Sequence, residues 1–211
     1  MSPTDVELVA AANSTPLGSL LENCQTGLSP TISSTLYNLQ TLPSETLDWA
    51  LDLVKRNLYE QYAAAKDTGW SSKDKLAEMT EENALYVVAT EQRPGGPAEK
   101  VGFLYFQFTM EDSCDDEGDP ESSDQESEDR QAPVIYCYEL QLETGYQRRG
   151  FGTYFMDMLE ELGSKYRMRK SMLTVFKSNT AAIAFYQKRG LDRWNITEQP
   201  STAEACRAGL V

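Results

Sequence analysis

Two short stretches of the 211-residue chain hold side chains whose types and spacing suit chemistry. In Gln147-Arg-Arg-Gly-Phe-Gly152, glycines one residue apart stand just ahead of an amphipathic run. Glycine lets a ligand approach the main chain, and free N–H groups at a helix start favour anions, so this hexapeptide suits a pyrophosphate. A plain glycine turn before a helix is the alternative. In Tyr136-Cys-Tyr-Glu139, two tyrosines flank a thiol and a carboxylate follows. Strand alternation points Tyr136 and Tyr138 to one face and Glu139 to the other unless a bulge intervenes. Cys137 alternates away from both tyrosines and lacks an activating base, so it is not expected to be a nucleophile. Histidine is absent, which removes Ser-His and Cys-His pairs and imidazole acid–base chemistry. Proton transfer falls to carboxylates, tyrosines, water or the substrate.

The elements that must position these groups follow from periodicity and turn signals. A short helix over Asp5–Ala12 and an edge strand over Pro30–Tyr37 are expected first. Pro43 and Ser44 open a helix whose stripe is Leu47, Ala50, Leu51, Val54, Leu58 and Tyr62, ended by Asp67-Thr-Gly69. A shorter helix runs from Ser71 or Ser72 through Met79. Strands Ala84–Glu91 and Lys100–Met110 are joined by the turn Arg93–Pro97. Val134–Leu142 and Ser171–Phe176 are further strands, the latter central because it is almost entirely apolar. The helix between them buries Phe151, Tyr154, Phe155, Met158, Leu159 and Leu162. A last helix over 179–189 turns Ala182, Phe185 and Tyr186 inward. The strand–helix–strand order implies a right-handed parallel unit in a mixed α/β fold.

Charge is unevenly spread. Residues 111–130 hold 11 acids against Arg130 alone and so contribute −10 of the net −14. The segment 111–132 reads as an acidic, disordered insertion. Nucleic acid is not expected as a partner, whereas a cationic one is. Cys24, Cys114, Cys137 and Cys206 have no Cys-x-x-Cys spacing, so neither a disulfide scaffold nor a metal site is expected. No run of apolar residues is long enough to span a membrane. The first basic residue is Lys55, so no targeting leader is read and a cytoplasmic or nuclear location follows by elimination.

With Gln147, Gly150 and Gly152 in place, the hexapeptide resembles the Q/R-x-x-G-x-G/A acetyl-CoA motif of the GNAT superfamily of N-acetyltransferases. Asn179-x-x-Ala182-x-x-Phe185-Tyr186 resembles that superfamily's second signature. The resemblance implies a GNAT fold, a mixed sheet whose splayed strands bind acetyl-CoA, with a bulge in the strand carrying Tyr138. It implies cofactor contacts from Gln147, Arg148, Arg149, Gly150, Phe151, Gly152, Thr153 and Asn179. Leu140, Gln141, Leu142 and Thr174 would line the pantetheine arm. The Leu140 N–H would hold the oxyanion, and Tyr186 would protonate the thiolate; an ordinary core role for Tyr186 stays open.

A finer resemblance rests on Trp49-Ala-Leu-Asp-Leu53, Glu78-Met-Thr80, the run Tyr136–Glu143 and Met172–Lys177. These are similar to NatD-type N-alpha-acetyltransferases, which acetylate the N-terminal serine of histone tails beginning Ser-Gly-Arg-Gly. The resemblance implies Glu139 as general base, directly or through water, with Tyr138 positioning the amine. Peptide contacts would come from Tyr62, Thr109, Glu111, Tyr136 and Tyr138; Tyr62 is equally the last member of its helix stripe. Thr109 departs from an acidic group in that family, and Glu111 or Asp112 would compensate. Basic histone tails are the implied partner and a monomer the expected form. The division expected is an N-terminal segment (1–40), an acetyltransferase domain (41–191) and an irregular tail (192–211) lacking the family's last strand. An acetyltransferase for a small cationic amine and an acidic histone-binding module without turnover remain as alternatives.

Overall fold

The computed structural model describes residues 3–22, 28–65, 69–112, 131–190, 192–193 and 203–209. Helix α1 (Asp5–Asn13) begins with a capping box, in which Thr4 Oγ1 accepts from the Glu7 N–H and Glu7 Oε2 from the Thr4 N–H. A single turn, α2 (Leu17–Leu20), precedes strand β1 (Ile32–Asn38). Pro43 then sets the entry of α3 (Ser44–Ala64), and the Ser71 hydroxyl caps α4 (Ser72–Met79). Strands β2 (Leu85–Glu91), β3 (Glu99–Asp112) and β4 (Gln131–Leu142) follow, then α5 (Phe151–Lys165), β5 (Lys170–Phe176) and α6 (Thr180–Lys188).

The sheet has the order β1-β2-β3-β4-β5-β7-β6, with β4 and β5 the parallel pair. Its two faces bury separate apolar clusters. Phe106, Phe108, Cys137, Leu140 and the apolar stripe of α5 pack on one face together with α1. Phe103, Tyr105 and Tyr86 pack under α3 and α4 on the other. The expected α5 stripe is buried in full. In α3, Leu53 is buried as well, beside Ala50 and Val54. In α6 the fully inward residues are Ile183 and Tyr186, while Ala182 and Phe185 are half-buried.

Two expectations are corrected. The hairpin arms reach further than the composition suggested: Glu111 pairs with Ala132 and Asp112 with Gln131. Burial of Ala132 and Val134 against Met172 draws those residues into the strand despite the acids opposite. The remaining part of the expected insertion, residues 113–130, lies outside the described residues, as do 66–68 at the end of α3. The tail is not irregular throughout. It contributes β6 (Asp192–Arg193) and β7 (Ala203–Gly209), and β7 lies antiparallel along β5 from Phe176↔Ala203 to Lys170↔Gly209. An apolar strand such as β5 is stable when both edges are hydrogen-bonded. The sequence Ala-Glu-Ala-Cys-Arg-Ala-Gly holds no large apolar residue and so carries no apolar alternation to announce a strand.

Candidate active site

The site is made by one bulge and one splay, both in β4. Tyr105 of β3 faces Glu139 while its neighbour Phe106 faces Cys137, so Tyr138 is the extra residue. The bulge shifts the alternation by one. Tyr136, Tyr138, Glu139 and Gln141 come to the face under α3 and α4, and Cys137, Leu140 and Leu142 turn to the α5 side. The parallel ladder with β5 covers only Val134–Cys137 against Lys170–Leu173. Beyond it the strands part, and a cleft of about 1070 Å³ opens between Leu140–Leu142 and Leu173–Phe176, roofed by α3 and α6.

One end of the cleft suits an anion. A 3-10 turn (Thr144–Tyr146) leads into Gln147, then Arg148 with φ 58° and Gly150 with φ 92°. These left-handed residues turn the chain so that α5 begins at the cleft, and no side chain caps its first turn. The N–H groups of that turn therefore have no intrahelical partner and favour negative charge. Gln147, Arg148, Gly150, Gly152 and Thr153 line this end. Arg149 and Phe151 do not. The Arg149 guanidinium lies over the Tyr146 ring, 4.8 Å from its centroid, and Phe151 is a core residue. The absent Cβ of Gly152 serves packing: a methyl there would stand 3.2 Å from Phe185 Cζ of α6. Asn179 lines the cleft with its Oδ1 committed to capping α6 through the Ala182 N–H. Thr174 hydrogen-bonds the Tyr136 hydroxyl across the point where the strands part.

The other end is carboxylate and tyrosine. Glu139 is 5% exposed; Lys75 Nζ donates to its Oε1 at 2.9 Å and Gln141 Nε2 to its Oε2 at 2.7 Å. Lys75, on α4, also donates to both oxygens of Glu78 at 2.7 and 2.9 Å. Burial works against the Lys75 charge, but Glu139, Tyr62 and Glu78 outweigh it, so its pKa lies above the ordinary lysine value. Burial raises the Glu78 pKa, with Lys75 opposing. Tyr86, Tyr105, Tyr138 and Tyr136 form a continuous run of rings with centroids 4.7–5.0 Å apart. Burial, then the nearby carboxylates Glu81 and Glu111, pushes Tyr138 up to about 12, so at neutral pH it is a phenol that donates. The Cys137 thiol is likewise raised by burial, which makes it a poor nucleophile, as the sequence indicated.

Tyr62 closes the mouth from α3. Its ring meets Phe176 of β5 edge-on at 4.8 Å and Trp70 at 5.2 Å, so the helix stripe continues into the site. Thr109 and Glu111 lie further along β3, on the face that carries Tyr105 and Gln107, and neither lines the cleft. Tyr186 lines it and is buried at 8% exposure.

Sequence reasoning missed the groups that hold Glu139. Arg56 donates to both oxygens of Glu143 at 2.9 Å, Trp49 Nε1 donates to the same carboxylate, and Asn57 donates to Gln141 Oε1. Thus α3 fixes the end of β4, and Gln141 passes that order to Glu139. A readable signal existed for Lys75 alone. It sits four residues before Met79 and so on the buried face of its helix, where an unpaired lysine would be costly.

The residues fit an acyl-CoA: a helix start for phosphates, an apolar cleft beside a strand edge freed of its ladder, and a carboxylate at the far end. Residues 56–191, well over half of the chain, match the acetyltransferase (GNAT) family. The structure is similar to the NatC complex bound to Gag peptide and CoA, with 16% identity, TM-score 0.55 and coverage of 85% of this chain and 99% of that one. It is similar to Arabidopsis thaliana NAA60 in complex with acetyl-CoA at 17% identity and TM-score 0.54, covering 85% of this chain and 99% of that one. Ard1 from Thermoplasma volcanium matches at 16% identity and TM-score 0.53, covering 84% and 98%. Identities this low speak for the fold, and the family match across the cleft-forming elements speaks for acetyl-CoA-dependent acetyl transfer. The chain belongs to the GNAT family of acetyltransferases.

Proposed function

We propose that the chain is an N-alpha-acetyltransferase acting on the free N-terminal serine of basic tails beginning Ser-Gly-Arg-Gly, as in histones, which it meets as a monomer in the cytoplasm and nucleus. The observation that carries this reading is the bulge at Tyr138, which turns Tyr138 and Glu139 together toward the acceptor end of the cleft. A peptide α-amine has an ordinary pKa near ~8 and is partly neutral at neutral pH, whereas a lysine amine near ~10.4 is not. A carboxylate base is therefore sufficient for the first and weak for the second. The two hydrogen bonds that Glu139 accepts occupy about half of a carboxylate's ~4 acceptor sites, leaving room for a water that takes the amine's proton. Tyr138, a phenol at neutral pH, orients the amine or that water. The amine attacks the thioester carbon directly, the Leu140 N–H faces the developing oxyanion, and Tyr186 supplies a proton to the leaving sulfur.

The fold similarity to NatC, NAA60 and Ard1 supports an N-terminal acceptor. Glu78, Glu81 and Glu111, whose charges reach Tyr138, suit the arginine of such a tail. The same carboxylates suit a polyamine, and the experiment separates the two. Steady-state rates are compared for Ser-Gly-Arg-Gly-Lys peptide, its N-blocked copy and spermidine, with acetyl-CoA binding measured by calorimetry. The reading expects turnover of the free peptide at least about tenfold above both others. Preference for spermidine would establish the small-amine reading, and binding without turnover the binding-module one.

A further inference from the structure

Glu139 shares Lys75 with a second carboxylate that the proposed chemistry has not used. Lys75 Nζ stands 2.9 Å from Glu139 and 2.7 Å from Glu78, so one cation faces two acids and, with both ionised, the group carries one net negative charge. The two acids differ in access. The Glu139 side chain is 5% exposed and that of Glu78 34%, and both border the cleft. A proton on Glu78 therefore has the more open route to water. We propose that Glu78, Lys75 and Glu139 act as one proton-accepting unit in which Lys75 is a positioning residue and Glu78 returns the proton to solvent. This deepens the reading of Glu139 as base and rests on it.

The balance is simple. The amine nitrogen bonds to the acetyl carbon, the carbon–sulfur bond breaks, the amine's proton enters the carboxylate pair and leaves to water from Glu78, and the thiolate takes up a proton. Coupled groups of this kind titrate as a pair. The phenols facing the unit are Tyr62 from α3, Tyr86 from β2, Tyr105 from β3 and Tyr136 and Tyr138 from β4; burial raises all of them. The Cys137 thiol is raised in the same way. They are therefore neutral across the working range and do not compete for the proton. Glu81 from the turn after α4 and Glu111 from β3 are the other charges felt here, both negative.

The unit predicts shifts of opposite sign. Glu78→Gln removes a negative charge and leaves Lys75 to Glu139 alone, which favours the ionised form. The acid limb of kcat/KM against pH then moves down by about one unit, and the plateau falls about tenfold because the base is weaker. Lys75→Met removes the cation and moves the limb up by a similar amount, whereas Lys75→Arg restores it. A Lys75 of structural value only would move neither limb. Lys75→Met risks unfolding by stranding a buried carboxylate, but Glu78→Gln keeps the Lys75–Glu139 pair and is decisive by itself. Glu139→Gln runs alongside. Full activity in Glu139→Gln overturns the base reading, and loss there with an unmoved limb in Glu78→Gln overturns only the shared unit. Carbon-13 titration of the glutamate carboxyls in the free protein reads the coupling without turnover. A Glu78 signal whose titration curve in the wild type differs from that in Glu139→Gln supports the unit, and identical curves overturn it.

Discussion

Glu139, the proposed base, is held at both of its oxygens from two helices, by Lys75 of α4 directly and by Asn57 of α3 through Gln141. A positioned general base contributes roughly 10²–10⁴-fold. Glu139→Gln is accordingly expected to lower kcat/KM by at least about 100-fold, while acetyl-CoA binding by calorimetry stays within a factor of about three. Equal losses in both would mean that the carboxylate orders the whole cleft rather than serving the acceptor end. The base candidate could be read from Tyr136-Cys-Tyr-Glu139, because an acid after alternating aromatics stands out in an apolar strand. Its holders could not. Asn57 and Arg56 look like the polar face of an ordinary helix, and only their tertiary partners on β4 distinguish them; Lys75 alone stands out, by its place on the buried face of α4.

At the scale of elements, the cleft depends on close approach between pieces that the sequence placed well but could not dock. Gly152 and Phe185 are the sharpest case: an added Cβ stands 3.2 Å from the ring, tighter than ordinary contact. Gly152→Ala should push α6 from α5, costing about 1–3 kcal/mol of stability and raising the KM for acetyl-CoA several-fold. The double change Gly152→Ala with Phe185→Leu should recover most of both; an undiminished KM defect would place the glycine's role with the ligand. A second contact gives a pH dependence. Hydrogen bonds from Arg56, then Trp49, hold the Glu143 carboxyl below the ordinary glutamate range despite some burial. A folded-state pKa below the unfolded one stabilises at neutral pH, and that stability is lost as the medium falls below about pH 4.3. Arg56→Met should therefore lower Tm at pH 7 and flatten its decline between pH 5 and 3, read by thermal melts. Helix stripes and strand cores were legible because burial follows periods of 3.6 and 2. The bulge was expected only through family resemblance, since a single register slip leaves the residue pattern almost unchanged. Strand β7 was invisible for want of large apolar residues, its pairing supplied by the open edge of β5.

At the scale of the molecule, the acidic charge gathers in the sequence between β3 and β4. Glu111 and Asp112 end the paired part of β3, opposite Ala132 and Gln131, and the sequence places most of the net charge between them and β4. A concentrated negative field speeds the approach of a cationic tail and fades once the Debye length falls to about 3 Å near 1 M salt. Replacing residues 113–130 with a short Gly-Ser turn should raise the KM for a basic peptide at low salt and leave it unchanged at high salt; equal KM values at every salt concentration would assign the segment no part in encounter. The central claim concerns where the acetyl group goes. The protein is incubated with acetyl-CoA and a Ser-Gly-Arg-Gly-Lys peptide, and fragmentation mass spectrometry locates the added mass. Acetyl on the serine α-amine alone is the predicted result. Acetyl on the lysine side chain, or none on the peptide while acetyl-CoA binds, would contradict it.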